Sequence, residues 1–315
     1  MAGLDFEKPI AELEKKIHEL KHFVSDKKID LSSEVKKLEE KLEHLKKDTY
    51  VNLTPWQRVQ LARHPQRPYT LDYINLLMSD FIEIHGDRLF SDDKAIVTGF
   101  AKLDKQKIVV IGHQKGRDTK ENLKRNFGCA HPEGYRKALR MMQLAEEFNL
   151  PVVIFIDTPG AYPGIGAEER GQSQAIATNL RDMATIATPI ISIVIGEGGS
   201  GGALGVGVAD RVYILENSYY SVISPEGCAA ILWKNGAKAP EAAAVLKLTG
   251  DDLMKLKIID GVIPEPFGGA HRDPEKTAQN VKEVLAKDIK ELKSLKKDAL
   301  LESRYNKFRN MGIIA

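Results

Sequence analysis

Residues 152–172 read VVIFIDTPGAYPGIGAEERGQ, and residues 190–207 read IISIVIGEGGSGGALGVG. Each stretch starts as an apolar, largely β-branched run and passes straight into a glycine-rich loop. Such runs mark strands buried on both faces, as in parallel sheets covered by helices. The intervening segment agrees, because Ile176, Leu180, Met183 and Ile186 share one helical face. Upstream, Pro132 opens another helical stretch with Tyr135, Leu139, Met142 and Ala145 on one face. Further strand candidates are Ile108–Gly112, Val212–Leu215 and Tyr220–Ile223. The alternation predicts an α/β fold with a mainly parallel sheet.

In such sheets the chemistry collects where loops leave the carboxyl ends of the strands. One loop carries Gly160, Gly164 and Gly166; the other carries seven glycines between Gly196 and Gly207. Glycine lets the backbone approach a ligand closely and aim N–H groups at it. A helix opening near Gly201 adds unpaired donors and a favourable dipole, the makings of an oxyanion hole. Alternatively, the glycines serve only tight strand–helix packing. Gly196–Gly201 also fits GxGxxG, with Glu216 ending the next strand. About nine residues remain for the following helix, short for a dinucleotide-binding crossover. Gly198–Gly202 fits GxSxG, making Ser200 a candidate nucleophile with Asp251 or Asp260 and His271 downstream. No GxxxxGK[ST] phosphate loop occurs.

Residues 113–140 hold eight Lys/Arg against three Asp/Glu. They read either as a solvated helix face or as a clamp for phosphate or carboxylate built from Lys115, Arg117, Lys124 or Arg125. Residues 1–50 contain 11 Lys, 12 Asp/Glu and no Arg. Apolar residues recur there at Phe6, Ile10, Leu13, Ile17, Leu20 and Val24, then at Val35, Leu38, Leu42 and Leu45. Two narrow seams separated by a break at Ser25–Ser33, with Ser32 or Ser33 as cap, predict an antiparallel helical hairpin that packs on the body or a partner. The expected divisions are 1–50 (hairpin), 51–80 (connector and short helix), 81–273 (catalytic body) and 274–315 (C-terminal helices). Along 274–311, Val281, Val284, Ile289, Leu292 and Leu295 are expected to face one way.

The net charge of +2 argues against bulk electrostatic binding to nucleic acid or an anionic membrane. Two cysteines, Cys129 and Cys228, form neither a disulfide framework nor a zinc-ligand spacing. The N-terminal stretch lacks the apolar core of a signal peptide, and no apolar run is long enough to span a bilayer. A cytoplasmic protein is expected.

Taken together, KGRDTKENLKRNFG (115–128), HPEGYRKALR (131–140), the two glycine loops, SVISPEGCAAILW (221–233) and IPEPFGGAHRDP (263–274) resemble the α-subunit family of bacterial acetyl-CoA carboxylase carboxyltransferases. The resemblance spans nearly the whole chain. It implies a crotonase-like fold of ββα units stacked into a superhelix, and half of an active site shared with a β subunit that carries a zinc ribbon. It implies an α2β2 heterotetramer served by a biotin carboxyl carrier protein and a biotin carboxylase. The reaction implied moves the carboxyl group of carboxybiotin to acetyl-CoA, giving malonyl-CoA. On that basis Gly198, Gly199, Gly201 and Gly202 are expected as backbone oxyanion donors, with Gly160 and Ala161 facing them. Tyr162, Pro163 and Ala203 would line the biotin pocket, and Lys115, Arg117, Lys124 and Arg125 would contact CoA phosphate or a carboxylate. No metal is expected in this chain.

Overall fold

The structure, a computed structural model, describes residues 4–27 and 32–312. Helices α1 (Lys8–Lys27) and α2 (Ser32–Val51) form the hairpin. Ion pairs Lys21–Glu39 at 2.6 Å and Lys46–Glu14 at 3.1 Å fix it as antiparallel. Ile10, Ile17 and Leu42 are buried along its seam, flanked by Phe6, Leu13, Leu38 and Leu45. The turn within Ser25–Ser33 and the side chain of Val24 lie outside the described residues. The seam continues through Tyr50 and Leu53 onto Leu61, so the hairpin packs on the body. Tyr50 donates to the buried Glu7 carboxylate at 2.6 Å.

Helix α3 (Pro55–Ala62) starts with a Thr54–Gln57 capping box and proline in its first turn, an arrangement that satisfies the free N–H groups there. Helix α4 (Thr70–Leu77) leads into β1 (Met78–Glu83). Strands β2 (Ile96–Leu103) and β3 (Gln106–His113) form a tight hairpin, with Asp104 at positive φ in the turn. The alternating part follows in order: α5 (Thr119–Lys124), α6 (Pro132–Glu147), β4 (Val152–Thr158), α7 (Ile165–Glu169), α8 (Gln172–Met183), β5 (Ile190–Gly199), α9 (Ser200–Leu204), β6 (Arg211–Leu215) and β7 (Tyr219–Ser221). Next come α10 (Pro225–Trp233), α11 (Ala239–Val245), α12 (Gly250–Lys255), β8 (Gly261–Ile263), α13 (Pro274–Lys293) and α14 (Lys297–Arg309).

The sheet runs β1-β2-β3-β4-β5-β6-β8, with β7 pairing the far end of β5. Strands β1 to β3 are antiparallel and the rest parallel. Alternate residues of each strand feed opposite cores, as the pleat requires. Ile154, Ile156 and Val194 pack with Tyr135, Met142 and Met183 on one face. Val153, Phe155 and Ile193 pack with Tyr73, Val281 and Leu285 on the other.

Several expectations need correction. Strand β1 straddles the boundary drawn at 80/81, and α13 covers one face of the sheet, so neither segment stands apart from the body. The expected C-terminal helices are two, α13 and α14; Ser294 turns its hydroxyl onto the Glu291 carbonyl at 2.7 Å where the first stops. Leu295 consequently leaves the buried stripe and is exposed. Strand β7 ends at Ser221 rather than Ile223, since Ser224 caps α10.

Candidate active site

The parallel strands end on one edge, and both glycine loops leave from it. Between Ile156 and Thr158 of β4 the register slips: Ile156 pairs with Val194, but Thr158 pairs with Gly198. Strand β5 therefore spends more residues than β4 at this point, a bulge of the kind that re-aims a chain beside a site. Asp157 sits in the irregularity and accepts the Glu197 N–H at 2.9 Å.

Glycine lets the two loops touch. A Cβ on Gly199 would stand 2.2 Å from the Pro159 carbonyl oxygen, and one on Gly202 would stand 2.5 Å from the Gly160 carbonyl carbon. Both are distances real side chains do not reach. Gly198 and Gly199 belong to β5 and are paired there with Tyr220 and Ser221, so they are strand residues rather than free loop donors. The loop proper begins at Ser200, exposed and at φ +55°, and turns directly into α9. Gly201 and Gly202 lie in the first turn of that helix, where N–H groups have no carbonyl four residues earlier in the helix. Ala203 is fully buried in the core, so its side chain is no pocket wall. The Gly160 N–H is engaged by Thr158 Oγ1 at 3.1 Å, which removes Gly160 from the expected donors. Tyr162 stacks on His131 at 4.0 Å between ring centroids, and its carbonyl accepts from Gln172. Pro163 is exposed beside it.

Below the loops lies a buried charge cluster that the sequence reading missed. Lys115 Nζ donates to Asp157 at 2.7 Å and to Glu197 at 2.8 Å. Glu197 also receives Arg63 Nε and the Tyr219 hydroxyl, each at 2.7 Å. Burial alone would push the Glu197 carboxyl up; Lys115 and then Arg63 outweigh it and hold it at about 2. Arg63 reaches on to Glu226 in the first turn of α10. Alongside runs a second buried pair, Arg67–Glu265, with Arg67 also donating to the Ile195 carbonyl at 2.6 Å. A lone acid ending an apolar strand, as Asp157 does, is the sequence signal that points to this cluster.

Three of the four basic candidates are engaged by partners within the protein. Lys115 faces two carboxylates, so it is not turned toward a phosphate. Arg117 pairs with Asp72, donates to the Pro65 and Arg67 carbonyls, and lies over the Tyr69 ring at 4.0 Å. Arg125 bonds Glu121 and the Lys94 carbonyl, each at 3.0 Å. Lys124 is exposed at the end of α5.

The rival triad does not assemble. His271 stacks on His64 at 3.8 Å, Asp260 is held by Lys307 and the Val212 N–H, and Asp251 lines a different cleft with Arg58 and Glu216. Ser200 instead borders an apolar cleft of about 440 Å³ with Leu204, Tyr220, Val222 and Phe308. Nor is there a dinucleotide unit: α9 is five residues long, and the Glu216 carboxylate accepts the Glu265 N–H. Glu7, His64 and His271 come close enough to share an ion, but His64 Nδ1 already accepts a backbone N–H and Glu7 accepts Tyr50.

The sequence profile described as acetyl co-enzyme A carboxylase carboxyltransferase-like matches residues 3–312. The acetyl-coenzyme A carboxylase carboxyl transferase subunit alpha of Thermus thermophilus is 58% identical over 312 residues, covering 99% of both chains. That of Halalkalibacterium halodurans is 60% identical over 309 residues, covering 98% of this chain and 95% of its own. Among solved structures, a Pseudomonas malonate decarboxylase hetero-tetramer in complex with coenzyme A matches with a TM-score of 0.60 at 17% identity, covering 74% of this chain and 91% of that one. Transcarboxylase 12S matches with a TM-score of 0.57 at 20% identity, covering 72% and 44%. These likenesses establish the crotonase-like fold.

Proposed function

The chain belongs to the family of acetyl-CoA carboxylase carboxyltransferase α subunits, and from that membership we propose how its two glycine loops serve the reaction. The enzyme moves a carboxyl group from carboxybiotin to acetyl-CoA. Loss of CO2 from carboxybiotin leaves negative charge on the ureido oxygen, and removal of a methyl proton places charge on the thioester oxygen. Preorganised backbone donors stabilise such charge without proton chemistry of their own. Gly201 and Gly202 are the donors for the biotin oxyanion, with Ala161 facing them. Removal of one such donor costs about 2.7–4 kcal/mol of barrier. The biotin anion itself takes the methyl proton, so the chain needs no general base.

The observation that carries this reading is the backbone contact between Gly202 and Gly160 at the carboxyl ends of β5 and β4. The apolar cleft beside Gly201 suits the fused rings and aliphatic tail of biotin better than a charged nucleotide. Tyr162 and Pro163, on the other glycine loop, are the residues offered to the biotin rings from that side, and Lys124 is an exposed cation for an anionic substrate group. The thioester hole falls to the zinc-ribbon β subunit in an α2β2 assembly, with the biotin carrier and biotin carboxylase supplying the charged cofactor in the cytoplasm. The hairpin of residues 1–50 serves assembly. Incubating malonyl-CoA and biocytin with this chain, with and without the β subunit, tests the reading through acetyl-CoA release. Release must require both chains; silence from a folded, associated pair overturns it.

A further inference from the structure

We propose that Lys115 is a positioning residue for carboxyl transfer: its buried ammonium sets the spacing of the two glycine loops and touches no substrate. The proposal rests on the oxyanion reading of those loops. Lys115 Nζ bridges Asp157 and Glu197, and the same Asp157 oxygen accepts the Glu197 N–H. Asp157 stands four residues before Ala161, and Glu197 four before Gly201. On the Glu197 side no loop intervenes, since β5 runs through Gly199 and α9 starts at Ser200; on the Asp157 side the chain leaves β4 at Thr158 and reaches Ala161 three residues later.

The lysine stem has a fitted channel. A Cβ on Gly128, which is at φ +80°, would stand 3.0 Å from Lys115 Cγ and 3.1 Å from the Asp157 carbonyl oxygen. Lys115 and Arg63 face Asp157 and Glu197, and Arg63 also pairs with the less buried Glu226. Replacing Lys115 by methionine preserves the stem but leaves two buried carboxylates facing each other with one cation short. Like charges repel strongly where burial holds bulk solvent away, as it does at Asp157 and Glu197. The carboxylates separate, and the loops they anchor separate with them. A displacement of about 1 Å in a catalytic constellation costs roughly 100-fold.

The test uses the reverse reaction with the β subunit present. Lys115→Met should lower kcat by roughly 100-fold while the KM for malonyl-CoA moves less than about threefold, because aligned donors act on developing charge. The double variant Lys115→Met/Glu197→Gln removes one stranded charge and should turn over at least about fivefold faster than Lys115→Met alone, a coupling expected only of residues acting through each other. A lysine that merely holds the fold together would recover stability in the double variant but would show no loss of kcat in the folded single variant. Unchanged kcat overturns the proposal, and so does a KM rise that matches the loss, which marks a substrate contact. Should Lys115→Met not fold, the double variant decides: it must fold and turn over, and an inert double overturns the proposal. Absent release in the wild-type pair removes the loop reading itself; normal wild-type release with an indifferent Lys115→Met removes only this proposal.

Discussion

Gly202 and Ala161 meet backbone to backbone across the two loops: a Cβ on Gly202 would stand 2.6 Å from the Ala161 nitrogen. Its neighbour Gly201 has room, since a Cβ there would meet only Ile176 Cδ1 at 3.6 Å. Two adjacent alanine substitutions should therefore differ. Gly202→Ala should assemble with the β subunit yet lose roughly 100-fold in kcat, as the loops are forced apart. Gly201→Ala should stay within about fivefold of wild type, because ordinary van der Waals contact costs little. Equal losses in acetyl-CoA release from the two variants would sink the interpretation.

Ser200→Ala should change the reverse rate by no more than about threefold, against the roughly 10⁶-fold loss seen when a serine nucleophile is removed. The left-handed backbone at Ser200 resembles a nucleophile elbow, but His271 and Asp260 are engaged elsewhere. Steady-state kinetics on the assembled complex decide it.

How much of this was legible in the sequence depends on the range of the signal. The apolar runs of β4 and β5 and the helical stripes of α6 and α8 are local patterns, and they gave the parallel sheet. Strands β1, β2 and β8 escaped because their signals are short or weakly apolar; the Asp104–Lys105 turn was the clue to the β2–β3 hairpin. The glycine loops announced themselves by composition, but which N–H groups are free depends on pairing with β7 and on Thr158, both set by the tertiary fold. The basic segment misled for a related reason. Lys115, Arg117 and Arg125 find partners at Asp157, Asp72 and Lys94, which lie beyond the reach of any local spacing.

Acid should unfold the protein in two stages. Burial, more than any neighbour, holds the His113 and His271 imidazoles down at about 3. The unfolded chain protonates them near 6.5, the folded chain only near 3, so their contribution is complete above pH 6.5 and fades as the pH falls toward 3. For the fully buried His113 the slope approaches about 1.4 kcal/mol per pH unit; the part-exposed His271 contributes less, because solvent screens it. Glu197, held at about 2, adds a second loss from about pH 4.5 down to 2. Melting temperatures measured from pH 7 to 3 should fall, and His113→Gln should flatten the upper part of the curve. A flat wild-type profile down to pH 4.5 would contradict this.

Arg304→Met should be severely destabilising. Arg304 is fully buried, pairs with Asp210 through two nitrogens at 2.9 and 2.7 Å, and donates to the carbonyls of Met183, Ile186 and Thr188. Removing one partner of a buried pair costs roughly 3–5 kcal/mol because the other charge is stranded. The urea midpoint should drop accordingly, with Gly201→Ala and Ser200→Ala leaving it nearly unchanged.

The same arginine bears on how the protein is made. Arg304 follows Asp210 by 94 residues, so a ribosome finishes every strand of the sheet before the side chain that satisfies those carbonyls has been synthesised. Until then the nascent body carries an unfilled polar slot where β5 and β6 begin. Closure of the body therefore waits for α14 to be made. A force-sensing arrest sequence moved along the chain should register its final pull only after α14 has cleared the exit tunnel.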